Sequence, residues 1–380
     1  MKKFLFVAAV LLVTLGLLIS PKPSDADVDV RVAILKDADD FVVSAPGVYR
    51  VIDLKTGKVL FEGRRLGKSR VKFIDGAVHV GQANYAANRL RLEFDKYAKI
   101  YTDKEIKRYR GGLNVIVNKD KLLVVNTLEL EEYVRGVLYH EISDKWPMEA
   151  MKAQAVAVRT YVYYQMQQNK TMDYDVTNDI YSQVYGGRSA ERYRTNLATK
   201  KTMGEVLFYD NRVLPAYFHS NSGGHTEDVS EVWNHNLPPL KGVVDPYVAD
   251  APNNRWRKNF RSSAVQTKLN EKGYKIGQIK EIRIRSKTGS GRARSVEIID
   301  YSGHSLILKG NDFRLIVGPN DIKSNLYTIT MKGYFFDVEG SGWGHGVGMS
   351  QWGAHKMAEE RFDYDEILKF YYPGAVIRKL

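Results

Sequence analysis

The clearest pattern of apolar and polar positions lies in residues 131–168. Tyr133, Val134, Val137 and Leu138 recur at helical spacing and predict one helix. Ser143-Asp144-Lys145 breaks it. Pro147 then suits the first turn of a second helix, where a missing N–H costs nothing. Glu149 puts a negative charge at the positive end of that helix's dipole. Ala150, Ala153, Ala157 and Tyr161 run along one side. Small residues permit close approach, so this helix is expected at the centre of the molecule.

The flanks read as strands. Val28–Ile34 alternates with period two. Tyr49–Asp53 and Val59–Phe61 flank Lys55-Thr56-Gly57-Lys58, which predicts a hairpin. Leu113–Val117 and Leu122–Asn126 flank Asn118–Lys121 and predict another. Residues 82–107 are rich in Tyr, Arg and Lys and are read as a helical or loop excursion. Beyond the helix pair, 173–187 reads as a loop, 191–202 as a helix, and 205–209 and 214–219 as strands. Residues 227–262 lack periodicity and read as a surface connection. Further strands are expected at 279–286, 294–299, 305–309, 327–330 and 334–339, with helices at 263–273, 311–317, 349–357 and 364–372. The expected class is α+β: a β-rich part at 27–127, a helix core at 128–226 and a β-rich part at 227–380. A substrate groove is expected between the lobes.

The N-terminus changes where this fold is placed. Lys2-Lys3 precede a run from Phe4 to Ile19 that is apolar apart from Thr14. Ser24-Asp25-Ala26 offers small residues at the positions a signal peptidase prefers. Residues 1–26 are therefore expected to be a signal peptide or a membrane anchor, with the body outside the cytoplasm. The chain has no cysteine, which excludes disulfides, thiolate metal sites and a cysteine nucleophile. Formal charge is +13; residues 1–26 contribute +2 of it and the body keeps +11. A basic protein attracts polyanions. The basic residues are scattered and form no nucleic-acid motif, so a cell-wall or membrane surface is expected rather than nucleic acid.

Several side chains are candidates for chemistry. Glu141 ends the first helix, close in sequence to Tyr139, His140 and Trp146. A carboxylate among aromatic rings is poorly hydrated and holds its proton, which suits a general acid. An exposed helix-end glutamate is the other reading. Lys152 and Arg159 are seven apart on one helix face. They read either as ligands of a substrate or as solvated charges, Lys152 pairing with Glu149. Gln183 and Tyr185 lie in a loop and read as sugar contacts or as an ordinary turn. His219-Ser220-Asn221-Ser222-Gly223-Gly224-His225 reads first as a rigid polar loop. A metal site using both histidines and a nucleophile loop are the alternatives. In Gly340–Ala354 the glycines let the backbone approach something closely, and His345 and Gln351 are candidates to face the groove.

These motifs carry a resemblance. Glu132-Tyr133-x-x-Gly136-Val137, followed by Glu141-x₄-Trp146-Pro147-x-Glu149-Ala150-x-Lys152-Ala153-Gln154-Ala155-Val156-Ala157-x-Arg159-Thr160-Tyr161, resembles the stage II sporulation protein D family, also called the amidase-enhancer family. Tyr109-Arg110-Gly111, Ser182-Gln183-Val184-Tyr185-x-Gly187, Gly342-x-Gly344-His345-Gly346-Val347-Gly348-Met349-Ser350-Gln351 and Tyr371-Tyr372-Pro373-Gly374 extend it from about Asp29 to the end. The resemblance implies a lytic transglycosylase of bacterial cell wall with Glu141 as its catalytic carboxylate. It implies Lys152, Arg159, Gln183, Tyr185, His345 and Gln351 as substrate contacts, and peptidoglycan glycan strands as substrate. A wall amidase or another wall hydrolase is the implied partner, and membrane contact is expected only through the N-terminal segment. No cofactor and no metal are expected, because the zinc some family members bind near the histidine loop uses cysteines. The other reading of the family is a non-catalytic wall-binding protein that stimulates an amidase.

Overall fold

The computed structural model describes residues 28–179, 182–233, 235–252 and 254–380. The expected signal peptide or anchor at 1–26 lies outside the described residues. The fold is α+β, and it is organised on one helix pair.

Helix α1, Leu130–Glu141, follows the strand Lys121–Glu129 without a loop. The Leu130 N–H donates to the Val28 carbonyl at 3.0 Å, giving one orphan donor of the helix start a partner. Glu131 and Glu132 stand in the first turn, where the dipole favours them. Leu130, Tyr133, Val134, Val137 and Leu138 are buried at the spacing read from the sequence. Ile142 is extended and ends the helix. Helix α2, Met148–Gln168, begins one residue after Pro147, which stands at its cap.

Helix α2 is buried on two opposite sides. Met151, Ala155, Val158 and Val162 join the N-terminal core. Ala153, Val156 and Ala157 join a second core with Leu207, Leu214, Met349, Ile367 and Tyr372. A helix apolar around much of its circumference has no solvent face to present, and alanines let both layers come close. Helix α3 (Tyr193–Lys201) adds Ala198 to the N-terminal core, and the one-turn α4 (Val229–Val232) adds Val229 to the second. Helices α5 (Ser262–Glu271) and α6 (Gly310–Val317) belong to a third core, and α7 (Gln351–Glu359) and α8 (Tyr364–Tyr371) return to the second. None of the described helices is long and apolar enough to cross a membrane.

Two sheets enclose the N-terminal core. The first runs Val176–Thr177, Asp29–Ala38, Lys121–Glu129, Gly112–Asn118, Arg89–Phe94, Tyr49–Asp53, Val59–Gly63. The second runs Ile106–Tyr109, Ala98–Tyr101, Asp40–Ala45, Leu66–Ile74, Ala77–Val80, Ala83–Tyr85. Both expected hairpins form, the second over Lys119 and Asp120 with positive φ of 48° and 63°, as a tight hairpin turn requires. Residues 82–107 are not the helical or loop excursion expected: they supply strands, with Leu90, Leu92 and Phe94 buried and Arg89, Arg91 and Glu93 facing outward. Their period-two alternation was masked by the density of charge.

The third core lies between two three-stranded sheets, Ile279–Lys287 with Ala293–Asp300 and Ser305–Lys309, and Arg255–Arg261 with Phe335–Ser341 and Tyr327–Lys332. Arg255–Arg261, read from sequence as part of a connection, is a strand at a sheet edge. The strand expected at 214–219 is cut to Phe218–His219, and Pro215, which has no N–H to give a ladder, separates it from the short strand Arg212–Val213.

The helix pair is locked by a buried ion pair. Arg159 is fully buried and grips Glu131 through Nε at 2.7 Å and Nη2 at 2.8 Å. The same guanidinium donates to the Glu205 carbonyl at 3.1 Å, and Glu131 accepts from the Gly204 N–H at 3.0 Å. Lys152 bonds Glu149 at 2.7 Å and lies over the Tyr364 ring at 5.0 Å. Removing one partner of a buried pair strands the other charge. Arg159→Ala is expected to lower unfolding free energy by about 3–5 kcal/mol. Denaturant unfolding of Arg159→Ala, Glu131→Ala and the double variant measures it; the double variant should lose clearly less than the sum of the two.

Candidate active site

Glu141 reaches the floor of a cleft because α1 ends there. It is half-buried, and the cleft has a volume of about 330 Å³. The walls come from five further places: Tyr161 on α2, the loop at Ser182–Val184, the segment Tyr217–Ser220, Trp233, and the glycine-rich turn with the first residue of α7. The Val184 N–H donates to Glu141 Oε1 at 3.3 Å, and the Gln351 amide donates to Oε2 at 3.4 Å. Burial pushes the Glu141 carboxyl up to about 7, against these two donors, which favour its ionised form. The C-terminal end of a helix dipole also disfavours a negative charge.

The cleft is otherwise neutral and aromatic. Among the described residues lining it, Glu141 is the only acid, and no lysine or arginine lines it. Tyr217 and Trp233 stack at 4.2 Å with planes 18° apart. The His345 ring stands 5.0 Å from Trp233 and 5.5 Å from His219. His345 Nδ1 accepts from the Val347 N–H at 3.1 Å, and burial pushes this imidazole down to about 3. His219 is buried, and its Nδ1 lies 3.1 Å from the Val347 carbonyl, so that nitrogen donates. Burial holds it well below the usual imidazole range, and its Nε2 has no partner among the described residues. Both histidines are neutral at physiological pH.

The glycine-rich turn is the frame of one wall. Gly346 has φ +90°, and a Cβ there would lie 2.6 Å from the Arg292 guanidinium. Gly348 has φ +70°, and a Cβ would lie 2.0 Å from the Tyr217 carbonyl. Only glycine fits either place. Arg292 is itself buried and donates to the carbonyls of Ser222 at 2.6 Å and His225 at 2.8 Å. It braces the histidine loop against the glycine turn. His225 turns to the Thr226 carbonyl, 2.5 Å from Nδ1. Among the described residues no three His, Asp or Glu side chains converge as metal ligands.

The structure brings together four of the seven residues singled out in the sequence: Glu141, Gln183, His345 and Gln351 all line the cleft. Tyr133 donates to Gln183 Oε1 at 2.9 Å, while the amide nitrogen of Gln183 has no partner among the described residues. The other three do not line it. Tyr185 is buried, donates to Asn126 Oδ1 at 2.7 Å and stacks on Tyr133. Arg159 and Lys152 are committed to Glu131 and Glu149. One shared helix face does not distinguish a cleft from an interior neighbour. Trp146, expected beside Glu141, packs instead on Trp352 and His355 at 5.0 and 4.7 Å. Tyr161, Tyr217, Trp233 and Trp343 line the cleft and were not singled out as site residues. Tyr161 and Trp343 lie within the motifs quoted from the sequence, whereas Tyr217 and Trp233 come from distant segments that no local pattern marks.

Comparison with known proteins shows what the chain is similar to. A family model described as "Stage II sporulation protein" matches residues 118–209, which span α1, α2 and the Gln183 loop. A domain of unknown function matches residues 229–348. An uncharacterised protein of Brachyspira hyodysenteriae is 37% identical over 270 residues, covering 71% of this chain and 72% of that protein. Stage II sporulation protein D of Bacillus subtilis is 34% identical over 275 residues, covering 67% and 75%. The amidase enhancer of Bacillus subtilis is 28% identical over 387 residues, covering 90% of this chain and 51% of that protein. The chain belongs to the stage II sporulation protein D family.

Proposed function

We propose that this chain is an extracytoplasmic lytic transglycosylase that cleaves the MurNAc–GlcNAc strands of peptidoglycan, with Glu141 as its acid and base. The family's name and a relative named amidase enhancer support a role at the cell wall in sporulation. The observation that carries the finer reading is a cleft carboxyl raised to about 7 with no second acid beside it among the described residues. Ordinary glycoside hydrolysis uses two carboxylates, one of them a nucleophile or the base that activates water. One carboxyl suffices where the substrate supplies its own nucleophile. Protonated Glu141 would donate to the glycosidic oxygen as the C1–O bond breaks. The muramyl C6 hydroxyl would attack C1 and return its proton to the Glu141 carboxylate, closing a 1,6-anhydro ring. Intramolecular attack gains from high effective concentration. Gln351 and the Val184 N–H would steady the carboxylate between the two transfers. Tyr217 and Trp233 offer flat apolar faces to pyranose rings.

The rival reading is a non-catalytic wall protein that enhances an amidase, favoured by the relative of that name, which aligns with 90% of this chain. Incubation of the pure protein with peptide-free glycan strands separates the two. Anhydro-muramyl ends should accumulate with the native protein and vanish with Glu141→Gln while strand binding persists. Binding with no product from either protein would favour the rival.

The acid must start protonated, so kcat/KM should fall about tenfold per pH unit above roughly 7. Gln351→Leu removes a donor that favours the ionised carboxylate. It should therefore move this limb to higher pH; a pH–rate profile that stays in place would separate Gln351 from Glu141.

Stability carries the same signature without substrate. The folded-state carboxyl holds its proton more tightly than the usual 4.5. That stabilises the fold fully below about pH 4.5 and is lost as pH rises to about 7. Glu141→Gln escapes this loss. Its stability relative to the native protein should rise by about 1–3 kcal/mol between pH 4.5 and pH 8, read by thermal unfolding at both pH values.

A further inference from the structure

A second cavity, of about 750 Å³, adjoins the Glu141 cleft, and the two share no lining residue. Three chain segments nevertheless run from one to the other. On α2, Tyr161 lines the cleft, and Tyr164, Gln167 and Gln168 line the cavity. Tyr217 lines the cleft, and residues 212–215 just before it line the cavity. Trp233 lines the cleft, and residues 235–238 just after it line the cavity. Three independent segments that line both hollows set them side by side. The stacked pair Tyr217 and Trp233 stands at their junction. From Tyr161 to Gln168 the helix advances about 10 Å, at 1.5 Å per residue.

The chemistry of the second stretch is specific. Tyr164 and Tyr209 are half-buried rings. Gln167 and Gln168 are exposed, and their side-chain amides have no hydrogen-bond partner among the described residues. Formal charge is limited to one acid and one base, Asp210 and Arg212. Rings stack on the apolar faces of sugars, and amides meet hydroxyl and N-acetyl groups. The wall has no surplus of positive charge, so it suits ring faces and amide groups of a sugar chain rather than its carboxylates.

We propose that this cavity is an accessory subsite for the same glycan strand, holding the faces and N-acetyl groups of sugars to one side of the bond at Glu141, with the muramyl lactyl groups turned to solvent. The proposal rests on the reading of the Glu141 cleft as a glycan site. Binding of these remote sugars would hold the strand in register across Glu141, so that long strands are preferred to short ones.

The test uses the Glu141→Gln chain as a binding protein and peptide-free glycan oligomers of four and eight sugars as probes. Adding Tyr164→Ala, or separately Gln168→Ala, should weaken eight-sugar binding about five- to tenfold and four-sugar binding less than twofold. Tyr164→Phe, which keeps the ring, should restore the long-oligomer affinity. Thermal unfolding of each variant confirms that it folds as the parent does. Equal losses on both lengths, or none on either, would overturn the subsite. Product assays on the native protein report separately on Glu141. If the length-selective loss appears without any anhydro product, the transglycosylase reading fails and the extended groove stands. If product forms and the affinities of both lengths stay unchanged in the Tyr164 and Gln168 variants, the groove fails and the Glu141 reading stands.

Discussion

Everything in this molecule depends on the burial of α2. A helix with apolar residues on opposite sides must be covered on both, and here two cores meet on it: Met151, Ala155, Val158 and Val162 on one, Ala153, Val156 and Ala157 on the other. Alanines keep both layers close. The cleft lies where the two bodies of structure built on this helix stand apart. The Glu131–Arg159 pair fixes α1 to α2, so the end of α1 cannot drift from that seam. Glu141 is the last residue of α1. Its position is thus set by packing that begins ten residues earlier.

The electrostatics follow from that placement. A carboxyl at a helix C-terminus, half-buried among neutral side chains, pays for ionisation and keeps its proton to about 7. The two histidines nearest the cleft are neutral, because burial opposes their protonation. No cation lines the cleft to pull the Glu141 value down. The buried cation Arg292 is spent on backbone carbonyls behind the wall, where it holds two loops together under Gly346. The glycine-rich turn and the histidine loop, which look like chemistry in the sequence, are largely the scaffold that shapes the groove.

The parts of the fold legible in the sequence are those whose cause is local. The periodicity of α1, the two hairpins and the α8 helix were all readable, because neighbouring residues carry the signal. Strands with charged outer faces were hidden: Arg89–Phe94 alternates, yet its charges resemble a loop. Arg255–Arg261 was hidden for the same reason. At the site, Glu141 was singled out by helix-end position and family pattern together. The aromatic neighbours expected for it were wrong, since sequence proximity put Trp146 beside it while tertiary packing supplies Tyr161 and Tyr217 to the cleft instead. Arg159 was misread because a helix buried on two sides offers no outward face from which to infer a substrate contact. Tyr217 and Trp233 meet only through long-range folding, and nothing within a few residues of either announces the stack.

The central claim is that poor hydration keeps one cleft carboxyl protonated near neutral pH. The most direct measurement is the side-chain carboxyl shift of Glu141 by carbon-detected NMR across pH 3 to 9, assigned by comparison with Glu141→Gln. A titration midpoint near 7 is expected. A midpoint near the ordinary 4.5 would contradict the claim, since an ionised glutamate in that cleft could not deliver a proton to the glycosidic oxygen.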